Sequence, residues 1–90
     1  MIIVSQDKKQ VINFNTIDFI DIMPMNDGRF EVDANFAHCI TELGHYDTEE
    51  RAKEVLEEII EKMQNKNFID MTAEGITTEV SDGIYRMPEE

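Results

Sequence analysis

The imidazoles and the thiol of this chain lie close together, at His38, Cys39 and His45. Zinc chemistry asks for three or four such ligands at spacings such as Cys-x2-Cys or His-x3-His. Adjacent residues of a strand point to opposite faces, so His38 and Cys39 do not share an ion easily. The plainer expectation is a surface histidine and a core cysteine. A nucleophilic cysteine needs an electropositive setting, and a chain of net charge -12 does not offer one. Asn26-Asp27-Gly28 lacks the upstream acidic ligands of a calcium loop, because positions 23 and 25 are Met. No Gly-x-Ser-x-Gly elbow occurs, and the four glycines are too scattered for a phosphate-binding loop. Twenty acids make carboxylate pairs by chance, and glycosidase-type chemistry also needs a cleft that a small domain seldom offers. The expectation is a protein that is not an enzyme and needs no metal or cofactor.

Two groups of residues suggest contact with a partner. Glu50, Glu54, Glu57 and Glu61 recur every three or four residues and fall on one side of a helix. They form a ridge of roughly 16 Å at about 1.5 Å per residue. Ile22-Met23-Pro24-Met25 places adaptable methionines beside a proline. Met23 and Met25 there suggest an exposed strand edge and pairing with a second copy of the chain. Glu31 and Asp33 add two carboxylates to one face of the strand that follows.

These residues need elements to hold them. Met1–Ser5 and Val11–Phe14 read as a strand pair around a polar turn, with a break near Asn13–Thr16. Ile17–Met25 carries apolar groups on both faces, which leaves its register open. Asp27-Gly28 suits a tight hairpin. Arg29–Phe36 alternates cleanly, with Phe30, Val32, Ala34 and Phe36 on one face and Glu31, Asp33 and Asn35 on the other. A further strand is expected around Cys39–Leu43, ended by Gly44. Asp47 or Thr48 caps a helix over Thr48–Lys66, with Glu49 and Glu50 in its first turn and Lys62 and Lys66 at its carboxyl end. Ala52, Val55, Leu56, Ile59, Ile60 and Met63 supply its apolar stripe. Ile76–Val80 reads as a short strand, and Gly83–Met87 as a last one ended by Pro88.

Length and charge bound the rest. Ninety residues make one small domain. With 8 Lys+Arg against 20 Asp+Glu, direct contact with nucleic acid or anionic lipid is disfavoured, since both require basic groups. Residues 27–47 hold one base and five acids, and residues 67–90 hold one base and six. A single cysteine permits no internal disulfide. The bases at the start follow the apolar run instead of preceding it, unlike a secretory signal. No apolar run approaches the ~20 residues of a membrane span. A cytoplasmic location is the expectation.

Three strings, Ser5–Lys8, the Gly-x-Tyr-x-Thr-Glu-Glu of Gly44–Glu50, and Met87–Pro88, resemble a set of small proteins from low-GC Gram-positive bacteria and their phages. Those proteins have no assigned activity, so the resemblance implies no catalytic residue. Residues 25–42 and 67–82 depart from the shared pattern, which makes them the place to look for a specialised role.

The expected fold is α+β: a mostly antiparallel sheet of about five or six strands with one long amphipathic helix packed on it. The expected function is that of an acidic binding protein, encoded by a phage or mobile element. It would mask a basic surface on a host nucleic-acid-binding protein as a DNA mimic that inhibits a defence system. The alternatives are a module that sequesters a nucleotide, with Lys8, Lys9, Arg29 and Arg86 as its non-helical cations, or a structural accessory domain.

Overall fold

In a computed structural model, residues 1–70 and 83–90 are described. Ile2–Val4 (β1) and Val11–Asn13 (β2) pair antiparallel, and Ile84–Arg86 (β6) lies parallel to β1. Phe19–Pro24 (β3), Phe30–Asn35 (β4) and Ile40–Tyr46 (β5) form an antiparallel meander. The α+β class is therefore correct. The single sheet is not: the six described strands divide into two three-stranded sheets, ordered β2-β1-β6 and β3-β4-β5. The expected strand at Ile76–Val80 lies outside the described residues.

The helix Glu49–Asp70 (α1) begins where the sequence places it. Thr48 caps it: its Oγ1 accepts from the Arg51 N–H at 3.1 Å and its carbonyl from the Ala52 N–H at 3.2 Å. The helix runs past Lys66, so Lys62 and Lys66 lie within it and not at its end. Its buried stripe is also narrower than the pattern suggests. Ala52, Val55 and Ile59 are buried, whereas Leu56 only packs against the core from a partly buried position and Ile60 is 41% exposed. Facing them are Val32, Ala34, Leu43 and Tyr46 of the meander, with Ile3, Ile12, Tyr85 and Met87 from the other sheet region.

Local chemistry sets the turns. Ser5 Oγ donates to Asp7 Oδ1 at 2.6 Å and accepts from the Gln10 N–H at 3.1 Å, while Asp7 Oδ1 also accepts from the Lys9 N–H at 2.9 Å. Those donors hold the Asp7 carboxyl below its usual range, the Ser5 bond most of all. Asn13 caps the 3-10 turn Phe14–Thr16 through its side chain, which is the expected break. Gly28 closes the β3–β4 hairpin at φ +90°, a conformation that favours glycine.

Gly44 departs from expectation, because it sits inside β5. Val32 pairs with Gly44 and Asp33 with Glu42, so Leu43 is the extra residue of a β-bulge. At this position the side chain of Gln6 comes in from the first turn. Gln6 Nε2 donates to the His45 carbonyl at 3.0 Å, and Gln6 Oε1 accepts from the His45 N–H at 2.9 Å. The amide thereby stands in for a strand neighbour along β5. A Cβ on Gly44 would lie 3.0 Å from Gln6 Cβ and 3.1 Å from Tyr46 Oη, so a larger residue here would crowd both neighbours.

The three resemblance strings meet here. Gln6 Nε2 also reaches the carbonyls of Pro88 (3.2 Å) and Glu89 (3.0 Å), and Tyr46 Oη donates to the Pro88 carbonyl at 2.8 Å. The turn, the glycine strand and the chain end thus form one joint between the two sheets.

Candidate functional site

Alternation along β4 sends Val32 and Ala34 to the helix side and Glu31, Asp33 and Asn35 to the other face. The strand register then decides what stands beside them. Asp21, Asp33 and Glu42 are direct cross-strand neighbours and form a row of three carboxylates. On one side of this row lies Phe19–Asn35–Ile40, and on the other Met23–Glu31–His45. Directly opposed side chains in a sheet are ~5 Å apart, where like charges destabilise.

The bulge at Leu43 makes this arrangement possible. In a regular strand, residues three apart face opposite ways. With one residue inserted between them, Glu42 and His45 come to the same face, and His45 Nδ1 lies 2.7 Å from Glu42 Oε2. Asn35 Nδ2 donates to Asp21 Oδ1 at 3.1 Å. The outer carboxylates therefore each have a partner.

Asp33, in the middle, is treated differently. It is only 4% exposed, and its Oδ1 has no hydrogen-bond partner. A buried polar atom left unpaired carries its full desolvation cost. Burial pushes the Asp33 carboxyl up and the charges of Asp21 and Glu42 push it further, while its bond with Glu31 works the other way. Glu31 responds most strongly. Its hydrogen bond to Asp33, then burial, then the charges of Asp33 and Glu42 push its carboxyl up to about 7. Below about 7 the pair therefore holds a proton, which belongs to both acids.

Large apolar groups frame these acids. Phe19 is 57% exposed, Met23 48% and Ile40 69%. Cations are sparse here, and several are engaged elsewhere: Lys8 with Glu89 at 3.1 Å, Arg29 with Asp47 at 3.3 Å, Lys53 with Glu49 at 3.9 Å. Arg51 pairs with Glu54 at 3.0 Å and Glu58 at 3.4 Å, and Glu58 in turn accepts from Tyr85 Oη at 2.6 Å.

Of the residues singled out in the sequence, Met23, Glu31 and Asp33 share this face. Met25 lies past the strand, partly buried in the hairpin turn, where its N–H donates to the Arg29 carbonyl at 2.8 Å. Glu50, Glu54, Glu57 and Glu61 are all exposed on the helix, away from this face of the sheet. Asp21, Asn35 and Glu42 are the residues that sequence reasoning did not join to the site, since only the register brings them there. Cys39 is exposed in the β4–β5 turn, which corrects the expectation of a core cysteine. Among the described residues, no group of three or more His, Cys, Asp or Glu side chains is arranged to hold a metal ion, and no helix is long and apolar enough to cross a membrane.

No protein-family model, curated protein or solved structure matches this chain.

Proposed function

We propose that this protein is a non-enzymatic acidic binding domain. Its face on β3, β4 and β5 docks against a basic surface of another protein, one that otherwise binds nucleic acid. The Asp21–Asp33–Glu42 row carries this reading. Like charges aligned at sheet spacing cost stability in the free protein, and a cationic partner removes that cost. Exposed Phe19, Met23 and Ile40 around the row supply the apolar contact that a purely electrostatic surface lacks. The net charge of -12 adds long-range steering that weakens with salt.

Two neighbouring readings are less well supported. The helix ridge is exposed, but Arg51 already neutralises part of it through Glu54. A nucleotide-binding module would draw on Lys8, Lys9, Arg29 and Arg86, of which Lys8 and Arg29 are held in ion pairs.

The test is displacement of a fluorescent DNA duplex from an arginine-rich, protamine-type peptide, followed by anisotropy. The wild type releases the duplex at low salt and loses this ability as salt rises. The double variant Asp21→Asn/Glu42→Gln fails to release it, whereas Glu54→Lys/Glu57→Lys retains most of the effect. Equal displacement by the sheet variant and the wild type, or loss only in the helix variant, refutes the assignment to this face.

A further inference from the structure

We infer that Asp33, ringed by Asp21, Glu31 and Glu42, is the seat for one arginine side chain of the partner. This rests on the acidic-face reading and adds to it the identity of the group bound and the way binding is regulated.

Asp33 Oδ1 is buried within the acid cluster with nothing donating to it. Nearby donors are committed: the Asn35 amide goes to Asp21 and to the Phe19 carbonyl, and the His45 ring lies against Glu42. A buried carboxylate oxygen in that position calls for a donor from outside.

Two features select the donor. Among the described residues none of the carboxylate groupings fits a metal ion. A guanidinium presents five N–H groups in a planar fork and can bond several carboxylates at once, which a lysine ammonium does less well. Its flat, weakly hydrated faces also suit the apolar frame of Phe19, Met23 and Ile40.

Glu31 supplies the control. The charged groups beside it are Asp33 on its own strand and Glu42 and His45 on β5; on β3 its direct neighbour is the uncharged Met23, with Asp21 one pair along, opposite Asp33. Four acids so placed do not all ionise readily, and the Glu31 carboxyl stays protonated up to about 7. While protonated, Glu31 adds no negative charge beside Asp33. An arriving guanidinium donates to the unpartnered Asp33 Oδ1 and favours the ionised Glu31, whose proton leaves to solvent. Binding therefore strengthens as pH rises toward 7 by about tenfold per pH unit, the limit for release of one proton, and levels off above it.

Calorimetry with three peptides of equal length, rich in arginine, lysine or citrulline, tests this between pH 5.5 and 8.5. Repeating each titration in buffers of different ionisation heat counts the protons released. The wild type should favour the arginine peptide and release close to one proton at pH 6. Glu31→Gln should abolish most of the release. Carbon-13 NMR of the Glu31 carboxyl provides a second readout, since its titration should move to lower pH when the arginine peptide is present. An arginine peptide that binds with no pH dependence, or a lysine peptide that binds as tightly, overturns this inference and leaves the acidic face standing. Failure of every cationic peptide to bind at any pH overturns both.

Discussion

Replacing Glu31 with Gln should stabilise the protein above neutral pH and leave it unchanged in acid. In the folded state the Glu31 carboxyl rises from 4.5 to about 7 because of Asp33, burial and Glu42. Between those two values the native state binds more protons than the unfolded chain. Stability contributed by this group is therefore intact below about 4.5 and falls as pH climbs through about 7. Unscreened, a shift of this size is worth about 3 kcal/mol. Glu31 is only partly buried, and solvent screening reduces this to about 1 kcal/mol. The raised Asp33 carboxyl acts in the same direction. The Asp7 carboxyl, which is lowered, acts oppositely but only as pH falls through the low values where it titrates. Urea unfolding of wild type and Glu31→Gln at half-unit steps from pH 4.5 to 8.5 measures the difference. The two curves should coincide in acid and separate by about 1 kcal/mol at pH 8. A wild type that gains stability from pH 5 to 7.5, or a variant no more stable at pH 8, means that Glu31 does not hold the proton.

Two further substitutions check the packing. Val55→Ala should cost about 2 kcal/mol and exceed the cost of Leu56→Ala, although leucine loses more atoms, because Val55 is fully buried and Leu56 is not. Denaturant midpoints in the reverse order would place the helix in a different rotation. Gly44→Ala should cost about 1–3 kcal/mol as its methyl meets Gln6. Part of that cost should disappear in a Gln6→Gly background, which removes the Cβ that the methyl meets, and an additive double-mutant cycle would show the two residues to be independent.

What could be read from the sequence was what depends on neighbours along the chain. Alternation over Phe30–Phe36 placed Glu31, Asp33 and Asn35 on one face, and Thr48 with Glu49 and Glu50 marked the helix start. The cross-strand relations were not readable. Nothing local says that Leu43 is a bulge residue, and without it Glu42 and His45 would face opposite ways. Gly44 looked like a strand end because the residue that demands a glycine there, Gln6, is remote in sequence. The division into two sheets has a similar origin. β6 joins β1 in parallel from the far end of the chain, a pairing with no periodicity to announce it. On the helix, periodicity gave six apolar positions but could not tell which of them the core would cover.

The contrast between the two ends of the molecule bears on function. At the Gln6 joint every group is answered: both amide atoms are bonded, Tyr46 reaches Pro88, and a glycine makes room. Across the β3–β5 face the rule is broken where three acids stand abreast and the buried Asp33 Oδ1 is unpaired. Asparagine or threonine at position 33 would fit a β-strand surface with less repulsion, and the hairpin's turn and pairing do not depend on the charge. When local propensity, pattern and turn chemistry agree throughout a chain, the site that violates them is the one whose residues answer to something other than folding. The violation here is a concentration of negative charge ringed by exposed apolar side chains, and a cationic surface that brings its own donors is the partner chemistry that would relieve it.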